Sequence, residues 1–386
     1  MKRLFFVFTL LAVCVGLVLS AAPVALAESN QLVSGVKAAY LTDGNGEIVL
    51  YEYNATARYP IASMVKIMTA LLSFEEIERG EMSLDEELVI SSEAMGMGGS
   101  QMFLNAGDAY TVSDLLKGVI VVSANDACVA LAERISGSED AFVVKMNERA
   151  RELGMQNTHF ANCTGLPHPE GYSCAKDVSV MLRELVKYPA YHTYSSIWLE
   201  DYTHPDGRVT TMTNTNKLVR FYQGCNGGKT GYTAEAGFCL AASASRSGVD
   251  AVSVVIGATD SKSRFAASTT LLNYAFANIR STTLGASGEQ LTDAPVRQGK
   301  ERCVPATVAM DIKVIARKGE EPKGEIKYRY DEPQAPLHTG DKVGEAYLIV
   351  DGVVKAKTDL VSLVEMERGT LGDAIQEFLG HYPLRW

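Results

Sequence analysis

The chain has 386 residues, 47% hydrophobic and 21% charged, with a formal net charge of −10. Loss of Lys2 and Arg3 with a leader makes the balance more acidic still, which excludes a nucleic-acid partner held by phosphate contacts. The length suffices for two domains and a sizeable core without disulfide staples.

At the N-terminus, Lys2 and Arg3 precede an apolar run from Leu4 to Leu19 and the small-residue site Ala25-Leu26-Ala27. This predicts a signal peptide over 1–27 cleaved after Ala27, with an uncleaved anchor as the alternative. No later stretch is long and apolar enough to span a bilayer, so the mature chain is expected to be exported. It would then work in the cell envelope, at the extracytoplasmic face of the membrane or secreted. Cys14 leaves with the leader. Cys128, Cys163, Cys174, Cys225, Cys239 and Cys303 remain; they allow 15 pairings but contain no CxxC, and they read mostly as small buried apolar residues. The six His lie scattered without HExxH or paired Cys spacing, so no metal and no cofactor is expected.

Val36 to Glu52 alternates around Asp43-Gly44-Asn45-Gly46, a hairpin by turn chemistry. After Pro60, the stripe Met64, Ile67, Met68, Leu71, Leu72, Phe74 and Ile77 predicts a helix closed by Gly80, with Ser63 at its start. Further helices are expected over Thr111–Val122, Asn125–Ile135, Glu139–Leu153 and Ala175–Val186. Strands return at Gly227–Tyr232, Gly237–Ser245 and Ala251–Gly257, before a last helix over Ser261–Asn278. Strands at both ends bracketing helices imply one sheet backed by helices, an α+β domain over 28–280. Composition shifts after Ile279, and the short alternating runs Val304–Val308, Ile312–Ala316, Ile326–Tyr330, Ala346–Val350 and Val353–Ala356 predict a β-rich domain over 281–365. In the remaining segment, 366–386, Leu371, Ile375, Phe378 and Leu379 share one helical face. That stripe reads equally as peripheral membrane contact or as packing on the β-rich domain.

Three short signals carry chemistry: Ser63-Met64-Val65-Lys66, Ser123-Ala124-Asn125 and Lys229-Thr230-Gly231. S-x-x-K alone is weak, since Ser34–Lys37 and Ser173–Lys176 also satisfy it. Ser63 differs in its context: a helix start aims backbone N–H groups at it, and i,i+3 spacing puts Lys66 on its face. S-x-N and K-T-G each occur once, in the order that a Ser-Lys acyl-transfer site requires. Taken singly, Ser63 is a helix cap and Lys66 a solvated lysine; order and flanks together reverse that reading. Gly228-Lys229-Thr230 mimics a phosphate loop, but Gln223 stands where the first glycine belongs.

Pro60-Ile61-Ala62-Ser63-Met64-Val65-Lys66-Ile67-Met68-Thr69 resembles the nucleophile segment of the low-molecular-weight D-alanyl-D-alanine carboxypeptidases, which are penicillin-binding proteins. Gly98 to Leu104, Asn157 to Phe160, and Gly228 to Thr233 are similar to further segments of that family, and Ala335-Pro336-Leu337 with Val343-Gly344 to its C-terminal β domain. The resemblance implies a β-lactamase/DD-peptidase-like transpeptidase fold with an antiparallel sheet flanked by helices. It also implies an acyl-enzyme on Ser63, with a peptidoglycan stem peptide ending in D-Ala-D-Ala as substrate and β-lactam antibiotics as covalent inhibitors. By the same resemblance Lys66 is the base, Ser123 the proton relay and Asn125 the holder of the substrate amide. Lys229 and Thr230 would take the terminal carboxylate, and the N–H groups of Ser63 and Tyr232 the oxyanion, with Gly231 leaving room for the substrate backbone.

Some relatives carry an arginine before K-T-G, where this chain reads Asn214-Thr215-Asn216-Lys217. Arg264 is similar to another family arginine and is the candidate for that contact, beside the reading that it pairs with a surface carboxylate. The nearest enzymatic rival is a β-lactamase, for which Glu170 is the candidate acid, although Gly171 and not Asn follows it. The rival of another class is a catalytically silent peptidoglycan-binding or penicillin-sensing protein. His159, His168 and Cys128 are read as structural.

Overall fold

The computed structural model describes residues 31–373 and Ile375. The expected leader over 1–27 lies outside the described residues, as do Phe378 and Leu379 of the C-terminal stripe. Among the described residues no helix is long and apolar enough to cross a membrane.

The hairpin forms where its turn chemistry places it, with strands Ala38–Asp43 and Val49–Tyr53. Asp43 closes it: one carboxylate oxygen accepts from the Ile48 N–H at 2.7 Å and the other from the Asn45 N–H at 3.2 Å. Ala38–Asp43 then pairs antiparallel with Val249–Ala258, so the two ends of the domain meet in mid-sheet. The full order is Val49–Tyr53, Ala38–Asp43, Val249–Ala258, Gly237–Arg246 and Cys225–Thr233, with every pairing antiparallel. Both faces of the central strands are covered. Tyr40, Val252, Val254 and Ile256 pack with the helical side. Leu41, Ala251 and Val255 pack with the helix Ser261–Asn278. Burial on both faces explains why Ala251 to Gly257 reads as a nearly continuous apolar run.

The helix Lys66–Glu78 runs through the middle of the domain, preceded by a 3₁₀ turn at Ala62–Val65. Every residue from Lys66 to Glu76 is buried, so the apolar stripe visible in the sequence understates its burial. Its two buried carboxylates are paired: Glu75 with Arg149 at 2.8 Å, and Glu76 with Lys145 and Arg79. The single helix expected over Thr111–Val122 is instead an α-helix, Val112–Lys117, followed by a π-helical turn, Gly118–Val122. The widened turn ends at Ser123, in the left-handed region with φ of 66°, and the helix Asn125–Ser136 starts two residues later. A short hairpin, Leu199–Thr203 with Val209–Thr213, lies between the expected helix Ala175–Val186 and the expected strand Gly227–Tyr232, where sequence patterning assigned no strands.

Beyond the helix Ser261–Asn278 the chain continues directly into a strand, Ile279–Gly285, paired with Ile312–Arg317. The composition shift after Ile279, which marks the expected domain boundary, thus falls within a strand. The second unit's larger sheet runs Thr292–Pro295, Cys303–Val308, Val353–Ser362, Lys342–Val350, Glu325–Tyr330, all antiparallel. The second unit contacts the first through Arg317 of the two-stranded sheet, which donates to the Val49 carbonyl at 2.6 Å, and through a Lys355–Glu47 ion pair at 2.7 Å. The six described cysteines are unpaired: Cys128, Cys163, Cys174 and Cys239 are buried, Cys225 is half-buried and Cys303 exposed.

Asp126 ties the segment before Ala106 to the helix carrying Asn125. Fully buried, its carboxylate accepts from the N–H groups of Met102 and Leu104, both at 3.1 Å, and of Ala127 at 3.0 Å. Asp126→Ala orphans donors in the interior and should lower stability by about 2–3 kcal/mol. Urea unfolding checks this; an unchanged midpoint would mean that the loop is held by other contacts.

Candidate active site

The structure places Lys66 beside Ser63 and near enough to Lys229 for their charges to interact, while Ser123, Asn125 and Thr230 stand on the elements that carry the other two motifs. Ser63 and Lys66 come from the 3₁₀ turn and the first residue of the central helix. Lys66 Nζ lies 3.1 Å from Ser63 Oγ and donates to the Thr164 carbonyl at 2.5 Å. Lys66 and Lys229 are only 1% and 4% exposed, so neither is a solvated lysine. Both amines are held below the ordinary lysine value of 10.5, by burial first. At Lys229 the neighbouring Lys66 charge pushes in the same direction. Cys128 lies in the same interior, where burial raises its thiol to about 12, so it stays protonated and serves as packing.

Ser123 Oγ is buried and has no hydrogen-bond partner among the described residues. An unsatisfied hydroxyl costs about 1–3 kcal/mol, and here it sits on a left-handed residue, so two unfavourable features coincide at one position. Asn125 donates through Nδ2 to the Gly98 carbonyl at 2.6 Å, and its N–H reaches the Ser100 carbonyl at 2.7 Å. Lys229 Nζ donates to the Thr230 carbonyl at 3.0 Å.

Close approach of three backbone segments sets the geometry around Ser63. A Cβ on Gly231 would stand 2.7 Å from the Ile61 carbonyl oxygen and 3.1 Å from the Ser63 nitrogen. On the other side, Gly165 has φ of +80°, and a Cβ there would lie 2.1 Å from the Ala62 carbonyl oxygen. The nucleophile turn is therefore clasped between the K-T-G strand and the segment Asn162–Leu166. Tyr232 is exposed and its ring stacks on Phe238 at 4.3 Å.

Arg264 Nη1 donates to the carbonyls of Gly231 at 3.1 Å and Cys239 at 3.3 Å, and its guanidinium lies over Phe265 and Phe238. No carboxylate pairs with it among the described residues, so the surface ion pair weighed from the sequence is not formed. It braces the K-T-G strand, with burial lowering its pKa. Glu170 is exposed, and its carboxylate makes no hydrogen bond with Ser63 or Lys66. His159 Nδ1 donates to the Glu170 carbonyl at 2.9 Å and bonds no serine.

Sequence reasoning missed the carbonyls of Thr164 and Gly98, because a backbone acceptor leaves no side-chain signature. Gly165, lying between Thr164 and Leu166, was the one legible hint of a close approach. It also missed Tyr191, whose hydroxyl accepts from the Gly228 N–H at 2.8 Å. Among the described residues no cluster of His, Cys, Asp and Glu could hold a metal ion.

A family model described as D-alanyl-D-alanine carboxypeptidase matches residues 26–260, and one described as penicillin-binding protein 5, C-terminal domain, matches residues 280–368. The chain is 37% identical over 358 residues to the D-alanyl-D-alanine carboxypeptidase DacF of Bacillus subtilis, covering 92% of each chain. To DacA of Escherichia coli K12 it is 30% identical over 347 residues, 88% of this chain and 85% of that one. Among solved structures it is similar to PBP3 of Streptococcus pneumoniae (TM-score 0.71, 28% identity, 86% of this chain and 99% of that one). It is also similar to penicillin binding protein 5 of Haemophilus influenzae (TM-score 0.64, 30% identity, 86% and 98%). With both models matched in order along one chain, this protein belongs to the D-alanyl-D-alanine carboxypeptidase family of low-molecular-weight penicillin-binding proteins.

Proposed function

We propose that the chain is a serine-type carboxypeptidase that removes the terminal D-alanine from peptidoglycan stem peptides and is acylated by penicillins on Ser63. The observation that carries this reading is the Lys66 amine 3.1 Å from Ser63 Oγ, in an interior where burial favours the neutral form. A neutral amine has two N–H groups and one lone pair. With one N–H given to Thr164, the lone pair is free for the Ser63 proton.

Ser63 Oγ attacks the carbonyl carbon of the penultimate D-alanine as Lys66 takes its proton. The oxyanion is met by the N–H groups of Ser63 and Tyr232, and Gly231 permits the approach. The C–N bond then breaks, and the leaving amine takes a proton relayed through Ser123, whose buried, unpartnered hydroxyl fits that role. Asn125 holds the substrate amide. Lys229 and Thr230 take the terminal carboxylate, with Arg264 supporting the strand from which they project. Water hydrolyses the ester and frees Ser63. The exposed position of Glu170 favours this reaction over fast penicillin turnover. A peptidoglycan substrate also fits an exported chain divided into a leader over 1–27, a catalytic domain over 28–280, a β-rich domain over 281–365 and an amphipathic end over 366–386.

D-alanine release from a synthetic peptide ending in D-alanyl-D-alanine should fall at least about a thousandfold in Ser63→Ala, and labelling by a tagged penicillin should vanish. Absence of both activities in folded wild type would leave the silent binding protein as the better reading, and rapid penicillin turnover the β-lactamase.

Because Lys66 must be neutral, the penicillin acylation rate should hold on the alkaline side of a pKa below 10.5 and decline as acid protonates the amine. An acid limb near 10.5 in the pH–rate profile would contradict the assignment. Gly231→Ala should slow acylation by about tenfold to a hundredfold, since its Cβ displaces the Ile61 carbonyl beside the nucleophile. Stopped-flow acylation at unchanged unfolding midpoint is the check.

A further inference from the structure

The outer edge of the strand Cys225–Thr233 changes character at Lys229. No strand among the described residues pairs there, and before Lys229 side chains take up its backbone groups instead. Ser195 Oγ donates to the Asn226 carbonyl at 2.6 Å, Asn216 Nδ2 donates to the Gly227 carbonyl at 3.2 Å, and the Tyr191 hydroxyl accepts from the Gly228 N–H at 2.8 Å. Tyr191 and Ser195 both stand on the short helix Pro189–Ser195, which thus takes the place of a neighbouring strand.

Of these ties, that of Tyr191 lies next to the second amine. Gly227 and Gly228 directly precede Lys229, and a glycine pair leaves the backbone free to move unless something outside it is attached. Gly228 has φ of +131°, and a Cβ on it would lie 2.2 Å from the Ala241 carbonyl oxygen, whereas one on Gly227 would lie 2.7 Å from both the ring and the hydroxyl of Tyr191. The tyrosine therefore packs its ring on one glycine and holds the other through its hydroxyl. Tyr191 is itself fixed: it is 1% exposed, meets Phe74 of the central helix edge-on, and lines one small cavity with Lys66, Lys229 and Gly228.

We propose that Tyr191 is a positioning residue for the reaction: by holding Gly228 it fixes where the Lys229 amine stands, and so sets the preference for substrates with a free terminal carboxylate. The inference rests on the carboxypeptidase reading in one respect, that Lys229 and Thr230 receive that carboxylate. Tyr191 acts through the Gly228 backbone, not on the substrate. A small displacement of the amine weakens its hold on the carboxylate while Ser63, Lys66 and the oxyanion N–H groups keep their places.

Penicillin carries its carboxylate on the carbon beside the lactam nitrogen, as the last D-alanine carries its own beside the scissile nitrogen, so esterifying that carboxylate probes the contact. The test compares acylation of Ser63 by benzylpenicillin and by benzylpenicillin methyl ester on the full chain, on Tyr191→Phe and on Tyr194→Phe. Tyr194 is the control: it is buried on the same helix, but its hydroxyl bonds Ser113 Oγ at 2.9 Å on the helix Val112–Lys117. Tyr191→Phe should slow the free acid about tenfold and the ester less than about twofold, so the acid-over-ester ratio falls about five- to tenfold, while Tyr194→Phe keeps the wild-type ratio. The ratio is internal to each variant, so a smaller folded fraction cancels. An unchanged ratio in Tyr191→Phe, an equal fall in Tyr194→Phe, or a wild type with no preference for the acid overturns the proposal. D-alanine release from a peptide ending in D-alanyl-D-alanine reads the carboxypeptidase assignment separately: its absence beside a ratio that depends on Tyr191 sinks that assignment and leaves the role of Tyr191 standing.

Discussion

The site depends on the enclosure of two amines in one interior. Lys66 and Lys229 sit next to each other out of water, where a charged ammonium is penalised by lost hydration and a second one by repulsion as well. Lysine's own chemistry favours the charged ammonium; the surrounding protein shifts it toward the neutral base. That requires the central helix to be buried on all sides, the K-T-G strand to lie against the nucleophile turn, and the Thr164 segment to close the remaining gap. Gly231 and Gly165 are the points where backbone meets backbone too closely for any side chain, and the clasp they permit keeps solvent from the amines.

Support for this enclosure comes from groups that take no part in the chemistry. Asp126 gathers three N–H groups and so fixes both the Met102–Leu104 segment and the helix that begins with Asn125. Tyr191 takes the Gly228 N–H, and Arg264 takes the Gly231 carbonyl, so the K-T-G strand is held by side chains where no second strand among the described residues takes its outer edge.

Much of this was legible in the sequence, and the reasons differ by element. The hairpin at Asp43-Gly44-Asn45-Gly46 was readable because a short-range turn signal and its hydrogen bonds involve the same few residues. The helices Asn125–Ser136 and Ser261–Asn278 were readable from apolar spacing. The motif triplets could be placed in one site only because their order and flanks resemble a known family; no periodicity says that Lys229 faces Lys66. What stayed hidden was non-local or carried by backbone: the π-helical turn before Ser123, the Thr164 carbonyl, and the strand Ile279–Gly285, which spans the expected domain boundary and shows itself only through its pairing with Ile312–Arg317. Arg264 was found as a residue but not as a brace, since its partners are carbonyls.

The antiparallel pairing of Ala38–Asp43 with Val249–Ala258 joins residues separated by most of the domain. As the chain emerges, Ser63 and Lys66 come early, but the strand carrying Lys229 comes later and the one that locks the N-terminal hairpin later still. A nascent chain ending before Cys225 has the nucleophile and the base residue but neither the second amine nor the wall that excludes water, so its Lys66 remains an ordinary ammonium. The same long-range closure that makes the fold slow to complete thus keeps the serine chemically quiet until the whole domain is present.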